Sequence, residues 1–228
     1  MTIVRAMPSR AVIFDLCGTL VPFDWKSWEQ TMTTIVELLG FPREEFAREW
    51  KRDYERRLVS DLRESTERVC RVLGGAPADA IEEGLRLRTE AHRRMFTPRE
   101  DAVSTLQELR ARGYLTGLIT NCSSEAPELL HESALAGLFD VEVFSCTAGL
   151  KKPDRAVYEL ATTQLEVDPR LSFFVGDGTD NELAGARAFG LQAVLLRPGD
   201  TQPPKDWQGP EITCLSQVLE LVPQASAE

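Results

Sequence analysis

Five short apolar runs, at 11–15, 114–120, 141–145, 171–176 and 191–196, constrain what this chain can fold into more than any other feature. They are rich in β-branched and aromatic residues. Runs that are apolar throughout suit strands whose sheet is covered on both faces. Between the later four lie stretches of helical character, near 125–136, 154–166 and 180–189, and a helix over 100–112 leads into the second run. Buried strands alternating with helices predict an α/β fold, a parallel sheet with helices on both faces and right-handed crossovers. Pro203-Pro204 marks a loop, and a last short helix is expected at 215–222.

Residues 22–97 have a different texture, with no strand-like run. Trp25–Leu39, Glu44–Leu58, Glu64–Leu73 and Ala78–Arg94 read as four amphipathic helices, punctuated by Gly40-Phe-Pro42 and Gly74-Gly75-Ala-Pro77. The chain is expected to rejoin the sheet near Thr97-Pro98. Two domains follow: a core of 1–21 and 98–228, and a helical insertion of 22–97. Trp25, Trp28 and Trp50 fall in the insertion. Packing within a small bundle is the commoner use of such residues, with an aromatic wall facing a substrate as the alternative.

The formal net charge of −10 disfavours nucleic acid and anionic membranes as partners, but not a small anionic substrate in a local pocket. The cysteines (Cys17, Cys70, Cys122, Cys146, Cys214) are odd in number and form no C-x-x-C pair, which fits reduced thiols in a cytoplasmic protein. No stretch approaches membrane length, and Ala11–Phe14 is too short for a signal-peptide core. There is no H-E-x-x-H and no G-x-x-x-x-G-K-[ST]. Gly176-Asp-Gly178-Thr-Asp-Asn181 fails the dinucleotide fingerprint, because Asn181 stands where a third glycine would. A monomer and a homodimer are both compatible with the composition.

In an open parallel sheet, ligands bind beyond the carboxyl ends of the strands. Four features fall there: Asp15, entering the turn Leu16-Cys17-Gly18-Thr19; Thr120 with Asn121; Gly149-Leu-Lys151-Lys152-Pro153; and Gly176-Asp177-Gly178 with Glu182 beyond it. Asp15 and Asp177 on neighbouring strands would make a hard oxygen site for Mg²⁺. A lysine, a hydroxyl and backbone N–H groups would offset the charge of a phosphoryl group. Asp15 could then attack phosphorus and form an aspartyl-phosphate that water cleaves.

These segments resemble, in order, the four motifs of the haloacid dehalogenase superfamily: Phe14-Asp15-Leu-Cys17-Gly18-Thr19-Leu20, Leu118-Ile119-Thr120-Asn121, Lys152-Pro153-Asp154, and Gly176-Asp177-Gly178 with Glu182 and Gly185-Ala186. The insertion resembles the superfamily's C1-type helical cap, so the resemblance covers essentially the whole chain. It implies a Rossmann-like core with an inserted four-helix cap, and a Mg²⁺-dependent hydrolase of a small phosphorylated molecule. By it Asp15 is nucleophile and metal ligand. Cys17 lends its backbone carbonyl to the metal, and Asp177 is a further ligand. Gly18, Thr19, Thr120, Asn121 and Lys152 surround the phosphoryl group, and Glu182 orients the metal or Lys152 from behind.

The departure is Cys17, where most phosphatases of this superfamily carry an aspartate that protonates the leaving group and then activates water. A thiol titrates near ~8.5 against ~3.9 for Asp. General acid–base help is worth ~10²–10⁴-fold, so alkyl phosphate hydrolysis should fall by about that factor. Cys17 also reads as a small residue filling a turn. Dehalogenases of the superfamily place Tyr there and lack the Gly-Asp-Gly pattern, which Asp177 retains here. Phosphonatases use a cap lysine, for which Lys26 and Lys51 are the only candidates, and Lys51 sits in a charged, solvated run. A protein that binds a phosphate ligand with little turnover is the remaining alternative. Thr179-x-x-Glu182 reads as a capping box, Asp180 as a helix-terminus acid, Asp24 as an N-cap before Trp25, and Lys151, His92 and His131 as ordinary surface or core residues.

Overall fold

A computed structural model describes residues 10–199 and 207–222 of the protein. The expected loop at Pro203-Pro204 lies outside the described residues. The first apolar run forms β1 (Ala11–Phe14), whose four residues are all completely buried. Successive side chains of a strand face opposite ways, and here Val12 and Phe14 join one apolar cluster while Ala11 and Ile13 join another. β1 therefore lies between two cores.

The other strands are β2 (Leu115–Thr120), β3 (Val141–Phe144), β4 (Phe173–Gly176), β5 (Gln192–Leu196) and β6 (Glu211–Ile212). The sheet is parallel throughout, in the order β3-β2-β1-β4-β5-β6. β6 is two residues long and has no apolar run to announce it. On one face pack α6 (Ala102–Ala111), α7 (Ala126–His131) and α11 (Val218–Leu221); on the other pack α9 (Arg155–Gln164) and α10 (Glu182–Phe189). A short α8 (Ser145–Ala148) follows β3. The chain leaves β1 toward β2 and β3, then crosses back to β4 on β1's other side. This reversal puts the carboxyl ends of β1 and β4 at the switch point, where such sheets bind ligands.

The insertion holds α1 (Trp25–Leu39), α2 (Arg43–Arg52), α3 (Tyr54–Arg57), α4 (Leu62–Val72) and α5 (Ala78–Met95), around its own core of Ile35, Val36, Leu39, Phe46, Val69 and Ile81. Asp24 caps α1 as expected, its Oδ1 accepting from the Lys26 and Ser27 N–H groups at 3.1 Å each. Gly40, at φ 77°, ends the helix in the left-handed region. The expected four helices are five. The run Glu44–Leu58 breaks at Asp53, whose carboxylate is held by Arg68 of α4 through two bonds of 2.8 Å. No helix among the described residues is long and apolar enough to cross a membrane, and all five cysteines are unbridged.

Candidate active site

Asp15 follows β1 and is fastened by its N–H to the Val175 carbonyl of β4, at 2.9 Å. Beyond it the chain turns back on itself: Gly18 N–H donates to Val21 O at 2.7 Å, and Val21 N–H to Leu16 O at 2.9 Å. Arg99 ties the turn to the core through the Thr19 and Gly18 carbonyls, at 2.7 and 2.8 Å. Gly18 has φ +90°, and a Cβ there would lie 2.1 Å from Asp177 Oδ2. Glycine is thus what lets β4's acid approach β1's turn.

Asp15 is 5% exposed and Lys152 3%. Lys152 Nζ lies 2.5 Å from Asp15 Oδ1 and 2.5 Å from Glu182 Oε2. Burial alone would discharge the lysine, but Asp15 and Glu182 outweigh it and raise its pKa. Burial raises both acids, with Lys152 pulling against it, and Glu182 reaches about 8. Asp15 Oδ2 and Thr120 Oγ1 are buried without hydrogen-bond partners. Such atoms are costly to leave unpaired, and Asp15 borders a cleft from which a ligand could supply a partner. The Thr19 hydroxyl is fully buried beside the same carboxylate.

Asp15, Asp177 and Glu182 can each bring an oxygen within 4.8 Å of the others. Glu182 already spends Oε2 on Lys152 and Oε1 on the Gly178 N–H, at 3.1 Å. That leaves Oδ2 of Asp15, without a hydrogen-bond partner among the described residues, and Asp177 as hard oxygen donors of the kind Mg²⁺ takes. The expected capping box does not form. The Thr179 N–H goes to Asp177 Oδ1 at 2.9 Å, Glu182 reaches Gly178 instead, and Asp180 and Asn181 take left-handed φ of 56° before α10 begins.

Two expected phosphoryl contacts are engaged elsewhere. The Gly18 N–H closes its own turn. The Asn121 side chain clamps the Lys152 loop, donating to Lys152 O at 3.0 Å and accepting from Lys152 N at 2.8 Å. Asn121 also donates to Asp180 Oδ2 at 2.9 Å. Asp180 is more than a helix-terminus acid, because Tyr54 of the cap donates to it at 2.9 Å. Lys151 is likewise more than surface charge, pairing with Glu55 of the cap at 2.5 Å. These contacts join partners far apart in sequence, such as Tyr54 and Asp180, and no local motif marks them.

A cleft of about 770 Å³ lies between cap and core, lined by Asp15, Cys17, Lys152 and Asp177 below and by Trp28, Trp50, Arg57, Arg88 and His92 above. The tryptophans are not simply bundle packing. Trp25 and Trp28 stand outside the insertion's apolar core and line this cleft, and Trp50 borders both. His92 stacks on Trp28 at 4.4 Å and bonds Glu125 of the core at 2.8 Å. Burial opposes the Glu125 charge, but Arg88 and His92 outweigh it and bring the carboxyl down to about 2. Cys17 is exposed in the cleft, yet the crowding around its thiol, and then the Asp15 charge, push it up to about 12. Lys26 and Lys51 are exposed and do not line the cleft. A second groove of about 1040 Å³, lined in part by Pro22–Asp24 and Thr97–Asp101, contains none of the motif residues.

The chain is also similar to known proteins. The family model described as "Hydrolase: haloacid dehalogenase-like hydrolase" matches residues 9–190. The chain is 32% identical over 203 residues to a Mycobacterium tuberculosis protein named as a phosphatase, covering 86% of this chain and 91% of that one. It is 33% identical over 141 residues to a Thermus thermophilus phosphoserine phosphatase, covering 58% of this chain and 55% of that one. The fold superposes on a 2-haloacid dehalogenase from Pseudomonas syringae with a TM-score of 0.74 at 23% identity, over 94% of this chain and 98% of that one.

Proposed function

The chain belongs to the haloacid dehalogenase-like hydrolases, and from that premise we propose that it is a Mg²⁺-dependent phosphatase of a small phosphorylated metabolite, working through an aspartyl-phosphate on Asp15. One observation carries this reading. Asp15 is buried with one oxygen on Lys152 and the other unpartnered, in a site that also holds the orphaned Thr120 hydroxyl and Asp177.

Asp15, Asp177 and the Cys17 carbonyl would hold the ion. When bound, Mg²⁺ would offset charge on the phosphoryl oxygens. Lys152 holds Asp15 in place and favours its ionised form against burial. The Asp15 carboxylate then attacks phosphorus, an Asp15 oxygen–phosphorus bond forms, and the ester oxygen leaves. Thr120 Oγ donates to a phosphoryl oxygen, the partner it otherwise lacks. Water then cleaves the acyl phosphate and returns Asp15. Glu182 fixes Lys152 from behind and braces the Gly178 turn beside Asp177. The cap covers the site and restricts it to small molecules.

The high Cys17 thiol pKa supports a second reading, in which phosphate esters are bound but turn over slowly. The named relatives of phosphatase type and the metal-compatible acids favour the first. Mg²⁺-dependent phosphate release from p-nitrophenyl phosphate, abolished in Asp15→Asn, is the expected result. Metal-independent halide release from a 2-haloacid would overturn it.

A further inference from the structure

The cap wall of the cleft carries more positive charge than its acids neutralise. Arg57, from α3, is half-buried and makes no ion pair among the described residues. Its Nη1 donates to the Trp50 carbonyl at 2.5 Å, and its guanidinium lies 4.0 Å from the centre of the Trp50 ring. Arg88, from α5, is buried. Its Nε meets Glu125 Oε1 at a long 3.2 Å, its Nη2 donates to Ser123 Oγ at 2.9 Å, and its Nη1 has no partner. Glu125 divides that same oxygen between Arg88 and His92, and its Oε2 is also buried without a partner among the described residues. Burial, and then the charge of Arg88, lower Arg57 to about 10.

A shortage of acids does not explain the imbalance. The chain has 36 acidic against 26 basic residues, and the cap's exposed Arg43, Arg63 and Arg86 all find glutamates. A buried donor without an acceptor and a half-buried guanidinium without a counter-ion are both costly. One anionic group between them would relieve both, and the planar fork of a guanidinium matches carboxylate and phosphate oxygens. Trp28 and Trp50 stack beside these cations, with the Arg88 guanidinium 4.9 Å from the Trp28 ring centre. The cleft has the volume of a small-molecule site.

We infer that Arg57 and Arg88 form a second anion subsite opposite Asp15, and that the substrates are small phosphate esters whose leaving group carries a further carboxylate or phosphate. The reaction part of this rests on the phosphatase reading of Asp15; the subsite does not. Three esters of similar size test it: glycerol 3-phosphate with an uncharged leaving group, 3-phosphoglycerate with a carboxylate, and propane-1,3-diol bisphosphate with a phosphate. The kcat/KM of at least one charged ester should exceed that of glycerol 3-phosphate by about 10-fold or more, and which one does so identifies the anion. Arg57→Gln should cut that ratio by about 10- to 100-fold, mainly through KM, and Arg57→Lys should recover part of it. A merely structural Arg57 would weaken all three alike and leave the ratio unmoved, which overturns the subsite, as would equal kcat/KM for all three in the unmutated protein. If no ester is turned over, the phosphatase reading falls and the subsite is judged by calorimetric titration with malonate and propane-1,3-diol bisphosphate. Binding weakened about 10-fold or more in Arg57→Gln sustains it; equal binding in both proteins, or none in either, overturns it.

Discussion

Replacing Cys17 with aspartate should turn a slow site into a fast one. An ordinary thiol near ~8.5 keeps a few per cent as thiolate at neutral pH. Here the surroundings push the thiol further up, so still less of it is thiolate at pH 7. The half-reaction that needs a base, water attack on the aspartyl-phosphate, then runs almost without one. The exchange is sterically open, because Cys17 is exposed in the cleft while the turn is held by backbone bonds of Gly18 and Val21. An aspartate there would feel Asp15 and Asp177, and like charges would lift it above ~3.9 toward the range where one group serves as acid and then base. Restoring that help is worth ~10²–10⁴-fold. The assay is steady-state hydrolysis of glycerol 3-phosphate, with stopped-flow release of p-nitrophenol from p-nitrophenyl phosphate. The natural chain should show a burst followed by a slow phase. Cys17→Asp should abolish the burst and raise alkyl phosphate turnover by ~10²–10⁴-fold. Rates unchanged within a factor of about two would refute the argument that a base is missing.

Three further outcomes follow from the geometry. Lys152→Met leaves Asp15 and Glu182 buried without their shared cation, so turnover should fall at least ~10³-fold, and urea denaturation should show up to about 3–5 kcal/mol less stability. Gly18→Ala forces a Cβ against Asp177 Oδ2 in a left-handed turn; about 1–2 kcal/mol of strain and a displaced Asp177 should lower phosphatase activity about 100-fold, and unimpaired kinetics would contradict the close approach. Glu125, held at about 2 by Arg88 and His92, lies below its ordinary ~4.3. A depressed acid contributes stability that is complete above the unfolded pKa and is lost as pH falls through the folded one. The stability gap between the natural chain and Glu125→Gln should therefore shrink by about 3 kcal/mol between pH 5 and pH 2, and a gap that stays flat with pH would show that Glu125 is not so held.

Much of the core was legible because its signals are local. β1 through β5 announce themselves by apolar runs, and Asp15, Thr120, Lys152 and Asp177 each stand at a strand end or a loop that the sheet's topology brings together. Asp24 was legible as a cap because an N-cap acts only on the next turn. Glu182 holds Lys152 as the resemblance implied, and only its second reading failed. Its spacing from Thr179 fits a capping box, but the deeper attraction of Lys152 and the Gly178 N–H claims its carboxylate. Asn121 lines the cleft, as its position suggests, but its side-chain amide is spent on holding the Lys152 loop. β6 went unseen because two residues carry no period.

The cap's chemistry was hidden for a different reason, one traceable to Asp53. Glu44–Leu58 has a helical pattern throughout, and a continuous helix would be the local optimum. The competing interaction is tertiary: Arg68, in the next long helix, grips Asp53 with two short bonds at 11% side-chain exposure. The next helix, α3, starts directly after it at Tyr54. Two of its four residues then enter the cleft, Tyr54 to meet Asp180 and Arg57 to lie on Trp50. α3 thus supplies both a contact that fastens the cap to the core and a cation with no ion pair among the described residues. Arg68 lines neither the cleft nor any motif, yet it grips the residue at which α2 gives way to the helix that carries Arg57. Its loss should therefore weaken discrimination among substrates more than it weakens attack by Asp15.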